Sequence, residues 1–471
     1  MVFNSSAYLV FFPLVVTLYY LLPHKWRWLM LLAASCGFYM AFVPVYILIL
    51  AFTIGVDYWA GILIEDSQGT KRKRWLVASI IANVGVLACF KYWNFLNGNI
   101  GELFQSMGVP YAIPDLGMAL PIGLSFHTFQ SLSYTVEVYR GNQKAERNIG
   151  YFGLYVMYFP QLVAGPIERP GALLPQLHAK HDFSYDNLVH GLTHMALGFF
   201  KKVVVADRVS EYVTQVYAAP NVVSSYAVMF AAFLFAIQIY CDFSGYSDIA
   251  IGSARVMGVK LMMNFDRPYL SASMAEVWRR WHISLSSWLR DYVYYPLGGS
   301  RVGHWRWYYN LLITFTLSGL WHGAAWHYIL FGTLQGVIIA WSDISKKPVN
   351  AIARALGLYK VPKVNHVLNV LLTFGLWCFT LVVFRAESMP HAGALFARML
   401  EFDGSIGIHA LALKGAIYPA LMCLFVTTLL ALTYALPQHL NYKHPRTFLA
   451  VSAMLVIVLG KYGDQFFYFQ F

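Results

Sequence analysis

Long apolar runs, separated by short polar stretches, dominate the chain and predict a bundle of membrane-spanning helices. Most of the runs approach the length of about 20 residues that a helix needs to cross the hydrocarbon core of a bilayer. The runs that we expect to cross or enter the membrane are 3–22, 29–42, 45–64, 75–93, 116–138, 151–164, 188–206, 226–251, 307–342, 366–384, 417–436 and 448–459. The pattern therefore predicts an all-α polytopic membrane protein with roughly 11 to 13 crossings.

One of these runs is unusual, because it is 36 residues long, has no formally charged residue and carries a histidine near its middle. No Asp, Glu, Lys or Arg occurs from Trp307 to Ser342, and His322 stands near the middle of this run between Gly319 and Gly323. Basic residues flank the run on both sides, which predicts that it enters the membrane and returns to the same face. An ionisable side chain at that depth is a functional-site hypothesis, with a purely structural histidine as the alternative.

A dense polar segment precedes this run. Read as one helix, it gathers Trp278, Trp281, Leu285, Trp288, Leu289 and Tyr292 into an apolar stripe. The charged residues Glu276, Arg279, Arg280, Arg290 and Asp291 fall on the other side, and His282 lies at the border. This pattern favours a helix that lies in the membrane interface or dips partly inward. The alternative is a surface helix without chemistry.

Composition and charge support the membrane interpretation. Only 12% of the 471 residues are charged and 58% are hydrophobic, whereas soluble domains average about 25% charged residues. The net charge of +12 is concentrated in short loops between apolar runs, as at residues 71–74. Cytoplasmic loops of membrane proteins carry this excess, so we predict a lipid bilayer and no nucleic acid as partner. The five cysteines are widely spaced and predict neither disulfides nor a metal site.

The basic loops also predict orientation and domain organisation. Lys25 and Arg27 follow the first apolar run, so we expect the N-terminus on the outer side, and the basic loop before the last run places the C-terminus there too. No long polar linker interrupts the chain, which predicts a single membrane domain over residues 1–471. Residues 119–345 form its motif-bearing core and residues 446–471 its final helix and C-terminal tail.

Two carboxylates lie within the apolar run 226–251. Asp242 and Asp248 belong to the sequence DFSGYSD at residues 242–248. At membrane depth such groups face the protein interior or an aqueous cavity. They can tie helices together by hydrogen bonds or contact a substrate, and the sequence leaves both possibilities open.

Of the chemistries tested against the sequence, general base catalysis by histidine remains. The chain lacks a His-Glu-x-x-His motif, a phosphate-binding loop and a Gly-x-Ser-x-Gly elbow. An imidazole can take a proton from a hydroxyl and pass it to a leaving group. Acyl transfer needs such a base, and it benefits from a second donor that stabilises the developing oxyanion. His322 as base, assisted by His282, fits these requirements.

Seven motifs identify the relatives of this sequence. They are LPIGLSF (120–126), FPQLVAGPI (159–167), DFSGYSD (242–248), FDRPY (265–269), WRRWHIS (278–284), WLRDY (288–292) and GLWHG (319–323). Together they resemble the membrane-bound O-acyltransferase family. The similarity points to the bacterial branch that serves alginate, cellulose and peptidoglycan O-acetylation and, more distantly, to the D-alanine transfer protein of teichoic acid synthesis.

The resemblance implies a ring of tilted helices around a thinned catalytic centre. It also implies that His322 is the catalytic histidine and His282 the second one, with Asp242, Asp248, Arg279, Arg280, Arg290, Asp291 and Trp321 as candidate supporting residues of the site. No metal or tightly bound cofactor is implied, and acetyl-CoA is the expected acyl donor. The expected location is the bacterial inner membrane. The expected partners are a periplasmic SGNH-hydrolase-like acetyltransferase and the exopolysaccharide synthesis and export machinery.

The last seven residues, Gln465–Phe471, include five aromatic side chains. They resemble a motif of this family whose tyrosine is proposed to accept the acyl group before relay, which makes Tyr468 a candidate acyl acceptor. An aromatic anchor in the membrane interface is the alternative.

Two other functions remain open on the sequence. A transfer protein for D-alanyl or other acyl groups, acting on teichoic acid, peptidoglycan or lipid, would keep the chemistry and change the substrate. A polytopic transporter would use Asp242, Asp248 and His322 as ion or proton sites, although no inverted repeat supports that function.

Overall fold

The architecture is all-helical among the residues that this computed structural model describes, which are 1–118, 120–401, 408–413, 417–435 and 444–461. The α-helices are α1 Ser6–Leu21, α2 His24–Met40, α3 Ile47–Asp66, α4 Gly69–Leu87, α5 Trp93–Ser106, α6 Leu124–Arg140, α7 Ile149–Met157, α8 Pro170–His178, α9 Tyr185–Phe199, α10 Asp207–Ala218, α11 Ser225–Val256, α12 Met274–Arg280, α13 Ile283–Leu289, α14 His304–His322, α15 Trp326–Ile344, α16 Lys346–Ala355, α17 Pro362–Arg385, α18 Met389–Leu400, α19 Tyr418–Ala435 and α20 Pro445–Leu459. The predicted fold class is confirmed.

Two π-helical segments join consecutive helices, and a third directly follows α13. They are Ala88–Tyr92, Phe200–Ala206 and Arg290–Tyr294. A π-turn inserts a residue into the helical ladder and is frequent at functional sites. Because of the first of these turns, the helix expected to stop near residue 93 continues to Ser106.

Five helical stretches of the described residues are long and apolar enough to cross a membrane: Pro44–Asp66, Gly69–Ser106, Tyr185–Ala218, Ser225–Val256 and Pro362–Arg385. The bent pair α15 and α16, with an angle of 59°, gives a sixth candidate. Three shorter apolar helices are Ser6–Leu21, Tyr418–Tyr434 and Pro445–Leu459. Long apolar helices are thus fewer than the 11 to 13 crossings predicted, because several predicted runs form short helices.

The chain forms two compact units. The first comprises Met1–Gly198, Tyr246–Met262 and His444–Ala450, and the second comprises Phe199–Gly245, Met263–Lys443 and Val451–Phe471. That all 471 residues act as one domain stays a prediction.

A buried polar cluster ties three helices together in the first unit. Asp57 of α3 accepts hydrogen bonds from Ser79 Oγ at 2.6 Å and Asn83 Nδ2 at 2.9 Å, and Ser79 and Asn83 lie one turn apart on α4. Ser79 also donates to Thr135 of α6 at 3.2 Å. These bonds compensate for placing a carboxyl group inside an apolar layer.

An aromatic core holds the second unit. The fully buried indole of Trp377, on α17, lies 5.6 Å from the ring of Trp278 and 5.1 Å from that of Trp281. Phe331 of α15 packs against the same indole at 6.3 Å. This core supports the short helices α12 and α13, which alone would be too short to be stable.

Candidate active site

His282 lies at a break between two short helices. The polar segment predicted as one continuous helix is interrupted at Trp281 and His282, so that prediction is wrong at this point. His282 adopts the left-handed conformation with φ 42° and ψ 54°. A residue with a Cβ atom pays about 1–3 kcal/mol for such a conformation, and such residues cluster at functional sites. Arg267, with φ 46°, is the other non-glycine residue of the described chain with a positive φ.

A neighbouring loop holds this break in place. The carbonyl of Asn264 accepts a hydrogen bond from the Ile283 amide at 2.9 Å. Its side-chain Oδ1 accepts two more, from the amide of Ser284 at 3.2 Å and from its hydroxyl at 3.0 Å. On the other side of the break, the Asp266 amide donates to the Arg280 carbonyl at 2.9 Å. The backbone of His282 is therefore fixed from both sides.

His322 is the last residue of α14, as the predicted hairpin requires. Gly323 follows in an extended conformation, and α15 begins at Trp326. The two helices touch through their backbones, since a Cβ atom on Gly319 would lie 2.2 Å from the Tyr328 carbonyl oxygen. A Cβ atom on Gly332 would meet the Phe315 carbonyl oxygen at the same distance. Close glycine contacts of this kind are typical of helix pairs in membranes.

The structure brings His282, Trp321 and His322 together. The ring of Trp321 lies 5.8 Å from the ring of His282 and 5.0 Å from that of His322. His282 is fully buried and His322 is 5% exposed. Phe243 packs edge-on against His282 at 4.6 Å, and Phe384 packs edge-on against His322 at 5.5 Å. Two imidazoles thus converge in an enclosed, mainly aromatic environment.

A cavity of about 390 Å³ lies in the same unit. Residues of α12, α13 and α14 line it, with the guanidinium-bearing Arg279 and Arg290 among them. The Ser318 hydroxyl belongs to the lining and is a buried group without a hydrogen-bond partner among the residues the structure describes. Ser318 stands one helical turn before His322, whereas neither His282 nor His322 lines the cavity. The volume falls within the range of small-molecule sites.

Two ion pairs lie in the same segment of the chain, and one of them involves the cavity residue Arg290. Arg290 pairs with Asp291 at 2.9 Å, and this hydrogen bond raises the pKa of the guanidinium. Arg280 pairs with Glu276 at 2.7 Å. Burial favours the neutral form of Glu276, but the Ala272 amide and the Arg280 guanidinium outweigh it and hold the pKa of this carboxyl below its ordinary value.

Asp242 belongs to a buried charge cluster whose members do not line the cavity. The Lys202 ammonium lies 2.7 Å from the carboxylates of both Asp242 and Asp207, and all three side chains are nearly inaccessible. Of the two possibilities that the sequence left open for Asp242, this geometry favours the tie between helices. Asp248 is also buried, and it belongs to the part of α11 in the first unit. Its role stays a prediction.

Two further predictions concern Tyr468 as acyl acceptor and the absence of a metal site. Tyr468 lies outside the described residues. No group of three or more His, Cys, Asp and Glu side chains is placed to hold a metal ion in the ranges that the structure describes.

Sequence reasoning missed Asn264 and Ser318. Ser318 could have been predicted from the sequence, because residues four apart share a helix face and Ser318 is four positions before His322. Asn264 gave no such signal, since its importance arises from a contact with residues about 20 positions away.

The sequence matches the model of the membrane-bound O-acyltransferase family over residues 81–384. It is 39% identical over 407 residues to the probable alginate O-acetylase of Pseudomonas aeruginosa, covering 85% of this chain and 75% of that protein. It is 32% identical over 415 residues to the peptidoglycan O-acetyltransferase of Helicobacter pylori, covering 82% and 75%. A teichoic acid D-alanyltransferase of Bacillus subtilis is 25% identical over 331 residues, covering 66% and 78%.

Proposed function

The chain belongs to the membrane-bound O-acyltransferase family and is a multi-pass membrane O-acyltransferase, and we propose that it passes acetyl groups across the bacterial inner membrane for exopolysaccharide O-acetylation. The observation that carries the proposal is the convergence of His282, Trp321 and His322 at the closed end of the α14–α15 hairpin. An acyl donor from one face of the membrane and an acceptor hydroxyl from the other can meet at such a point.

His322 acts as the general base. Its imidazole takes the proton of the acceptor hydroxyl while the oxygen attacks the thioester carbonyl carbon. The new C–O bond forms, the C–S bond breaks, and the departing thiolate receives the proton from the imidazolium. A base positioned in this way contributes about 10²–10⁴-fold to the rate.

His282 assists from the other side of Trp321. Its fixed backbone and full burial allow its ring to donate to the oxyanion that develops on the carbonyl. A preorganised donor in a site without water is worth far more than the same donor in water, and it costs no reorganisation during the reaction.

Acetyl-CoA is the proposed donor, and the cavity of α12–α14 is its proposed entry. Arg279 and Arg290 supply positive charge for the nucleotide phosphates. The apolar walls, with Trp278 and Phe315, suit the long thioester arm. Ser318 then stands at the end of the cavity nearest in sequence to His322.

Delivery to the polymer requires a second protein. We propose a periplasmic SGNH-hydrolase-like acetyltransferase as partner, with Tyr468 as the acyl acceptor that hands the acetyl group on and with both chain termini on the outer side. The relatives named for alginate favour alginate or a chemically similar polymer such as cellulose. The relatives named for peptidoglycan and teichoic acid keep those polymers as the alternative.

Acetyl transfer by the full chain in liposomes, with radiolabelled acetyl-CoA outside and the partner inside, tests the proposal. We expect His322→Ala to abolish transfer and His327→Ala to retain it, because His327 lies on the other arm of the hairpin and is not part of the cluster. Full activity of a correctly inserted His322→Ala protein would refute the role of this residue. Label retained on wild type but absent from Tyr468→Phe identifies the relay, and unchanged transfer by Tyr468→Phe rules it out.

The donor site has its own test. We expect Arg279→Gln and Arg290→Gln to raise KM for acetyl-CoA while leaving KM for acetyl-pantetheine, which lacks the nucleotide phosphates, unchanged. Arg301→Gln is the matched control, since Arg301 is an exposed arginine that does not line the cavity. Equal KM values for acetyl-CoA in all these proteins would remove the cavity from the donor path.

A further inference from the structure

α16 is an exposed amphipathic helix that directly follows the α14–α15 hairpin. Val349, Ile352 and Leu356 lie on one face of it, three and four residues apart, and are 53%, 59% and 68% exposed. Its basic side chains fall on the other face of a helical wheel, and they are Lys346, Lys347 and Arg354. The helix therefore has an apolar face that the described chain leaves largely uncovered, and a basic face beside it.

Exposed tryptophans mark the level at which α16 begins. Trp305, near the start of α14, is 84% exposed, and Trp341, near the end of α15, is 63% exposed. The Tyr308 hydroxyl of α14 donates to the Asp343 carboxylate of α15 at 3.0 Å, so these two helix ends lie side by side. Tryptophan is enriched at membrane–water interfaces. The open end of the hairpin therefore lies at an interface, and α16 starts there.

The direction and the charge of α16 show that it does not continue α15 into the bilayer. Its axis turns by 59° from that of α15. The next helix, α17, is again long and apolar enough to cross a membrane. Residues 344–363, between these two helices, include five basic residues, and no Asp or Glu occurs from 344 to 386. A helix with one apolar face and a polar face rich in Lys and Arg lies in the plane of the membrane interface.

We propose that α16 is an anchor in the headgroup layer that binds anionic phospholipids. Its apolar face inserts among the upper parts of the acyl chains, and its basic face contacts the headgroups. A surface of neutral lipids would cover the apolar face but would offer no net negative charge to the basic face. A protein partner would have to compete with the bilayer that the neighbouring helices enter. Basic segments next to membrane helices attract anionic headgroups in this way.

The anchor has a consequence for the hairpin. Because α16 follows α15 directly, a helix held in the headgroup layer fixes the end of α15 at the interface. The α14–α15 hairpin is then prevented from sliding along the membrane normal. The binding of lipid itself does not depend on the proposed acetyl transfer.

Hydrogen–deuterium exchange of the full chain, in nanodiscs that each hold one copy, tests the proposal without any other protein. The discs contain phosphatidylcholine alone or a mixture with phosphatidylglycerol. We expect the amides of α16 to exchange about fivefold more slowly in the mixture. High salt should remove the difference, because it screens exposed charges. Equal exchange of α16 in the two kinds of disc would overturn the proposal.

Charge variants test the basic face. Lys347→Gln combined with Arg354→Gln should remove most of the effect of phosphatidylglycerol on the exchange of α16. Lys71→Gln combined with Lys73→Gln is the matched control, because it removes the same charge from exposed positions of α4 and should leave the effect intact. An undiminished effect in the folded Lys347→Gln and Arg354→Gln protein would overturn the proposal.

A polar substitution tests the apolar face. Ile352→Ser should speed the exchange of α16 in both kinds of disc, because it removes an inserted side chain. Asn350→Ser is the control at an exposed position of the basic face, and both changes are nearly neutral in helix propensity. Slow exchange in both lipids that Ile352→Ser does not change would show that protein, and not lipid, covers α16, and it would overturn the proposal.

Discussion

Asn264 Oδ1 accepts hydrogen bonds from both the backbone amide and the hydroxyl of Ser284, at 3.2 Å and 3.0 Å. Ser284 is the second residue after His282, whose backbone is left-handed. The side-chain carboxamide of Asn264 thus positions His282, the proposed oxyanion donor, through the backbone. In this proposal Asn264 does not itself contact the reacting atoms.

Asn264→Ala should lower kcat for acetyl transfer by about 100-fold with little change in KM for acetyl-CoA. A displaced His282 would no longer stabilise the transition state, whereas binding of the acyl donor would be unaffected. Ser284→Ala is the matched control, since it removes one of the two side-chain bonds and keeps the amide bond. Steady-state kinetics in liposomes measure both. If Asn264→Ala and Ser284→Ala lost kcat and protein stability to the same extent, Asn264 would have only a structural role.

Gly319→Ala should destabilise the hairpin by about 1–3 kcal/mol and reduce transfer. The added Cβ atom would lie 2.2 Å from the Tyr328 carbonyl oxygen, so the helices must separate. Thermal unfolding in detergent measures the effect. Gly375→Ala in α17 is the control, because no described atom outside its own stretch of helix lies within 4 Å of the position of its Cβ, and alanine favours the helix.

Lys202→Met should destabilise the protein by about 3–5 kcal/mol, because it leaves the carboxylates of Asp207 and Asp242 buried without their cation. Lys180→Met breaks an exposed ion pair of similar length, 2.9 Å, and should have no measurable effect. The difference between the thermal midpoints of the two variants measures the effect of burial. Similar midpoints would show that α10 and α11 do not depend on the cluster.

Glu168 should make stability depend on pH. Burial raises the pKa of this carboxyl to about 7, although the Met262 amide and Arg169 favour its charged form. The folded protein therefore keeps a proton that the unfolded chain releases above its ordinary pKa of 4.5. Stability is highest below pH 4.5 and falls as pH rises through 7, by up to about 3 kcal/mol.

Glu168→Gln, which cannot ionise, should remove most of this slope. Thermal midpoints of the wild type and the variant between pH 5 and pH 8 measure it. Parallel curves for the two proteins would assign the pH dependence to other groups.

The sequence predicted the helices whose hydrophobic residues follow a regular period. It did not predict the point at which tertiary contacts interrupt a helix despite that period. The uncharged run and its glycines predicted the α14–α15 hairpin, with His322 at its end, because the cost of charge at membrane depth is visible in composition. Trp278, Trp281 and Leu285, which belong to the apolar stripe recognised in the sequence, are buried in the structure. The break at His282 was not predicted, since hydrogen bonds from Asn264 and Asp266 stabilise it and a helical period carries no trace of them.

The contact of α14 with α15 through glycine backbones determines which mutations this enzyme can tolerate in the hairpin. Side chains in such a seam cannot repack, so the position of His322, the proposed base, is set by the number of residues in α14. Deleting one residue would move His322 by about 1.5 Å along the helix and turn it by about 100°. Members of the family should therefore show far fewer insertions and deletions than substitutions within this hairpin.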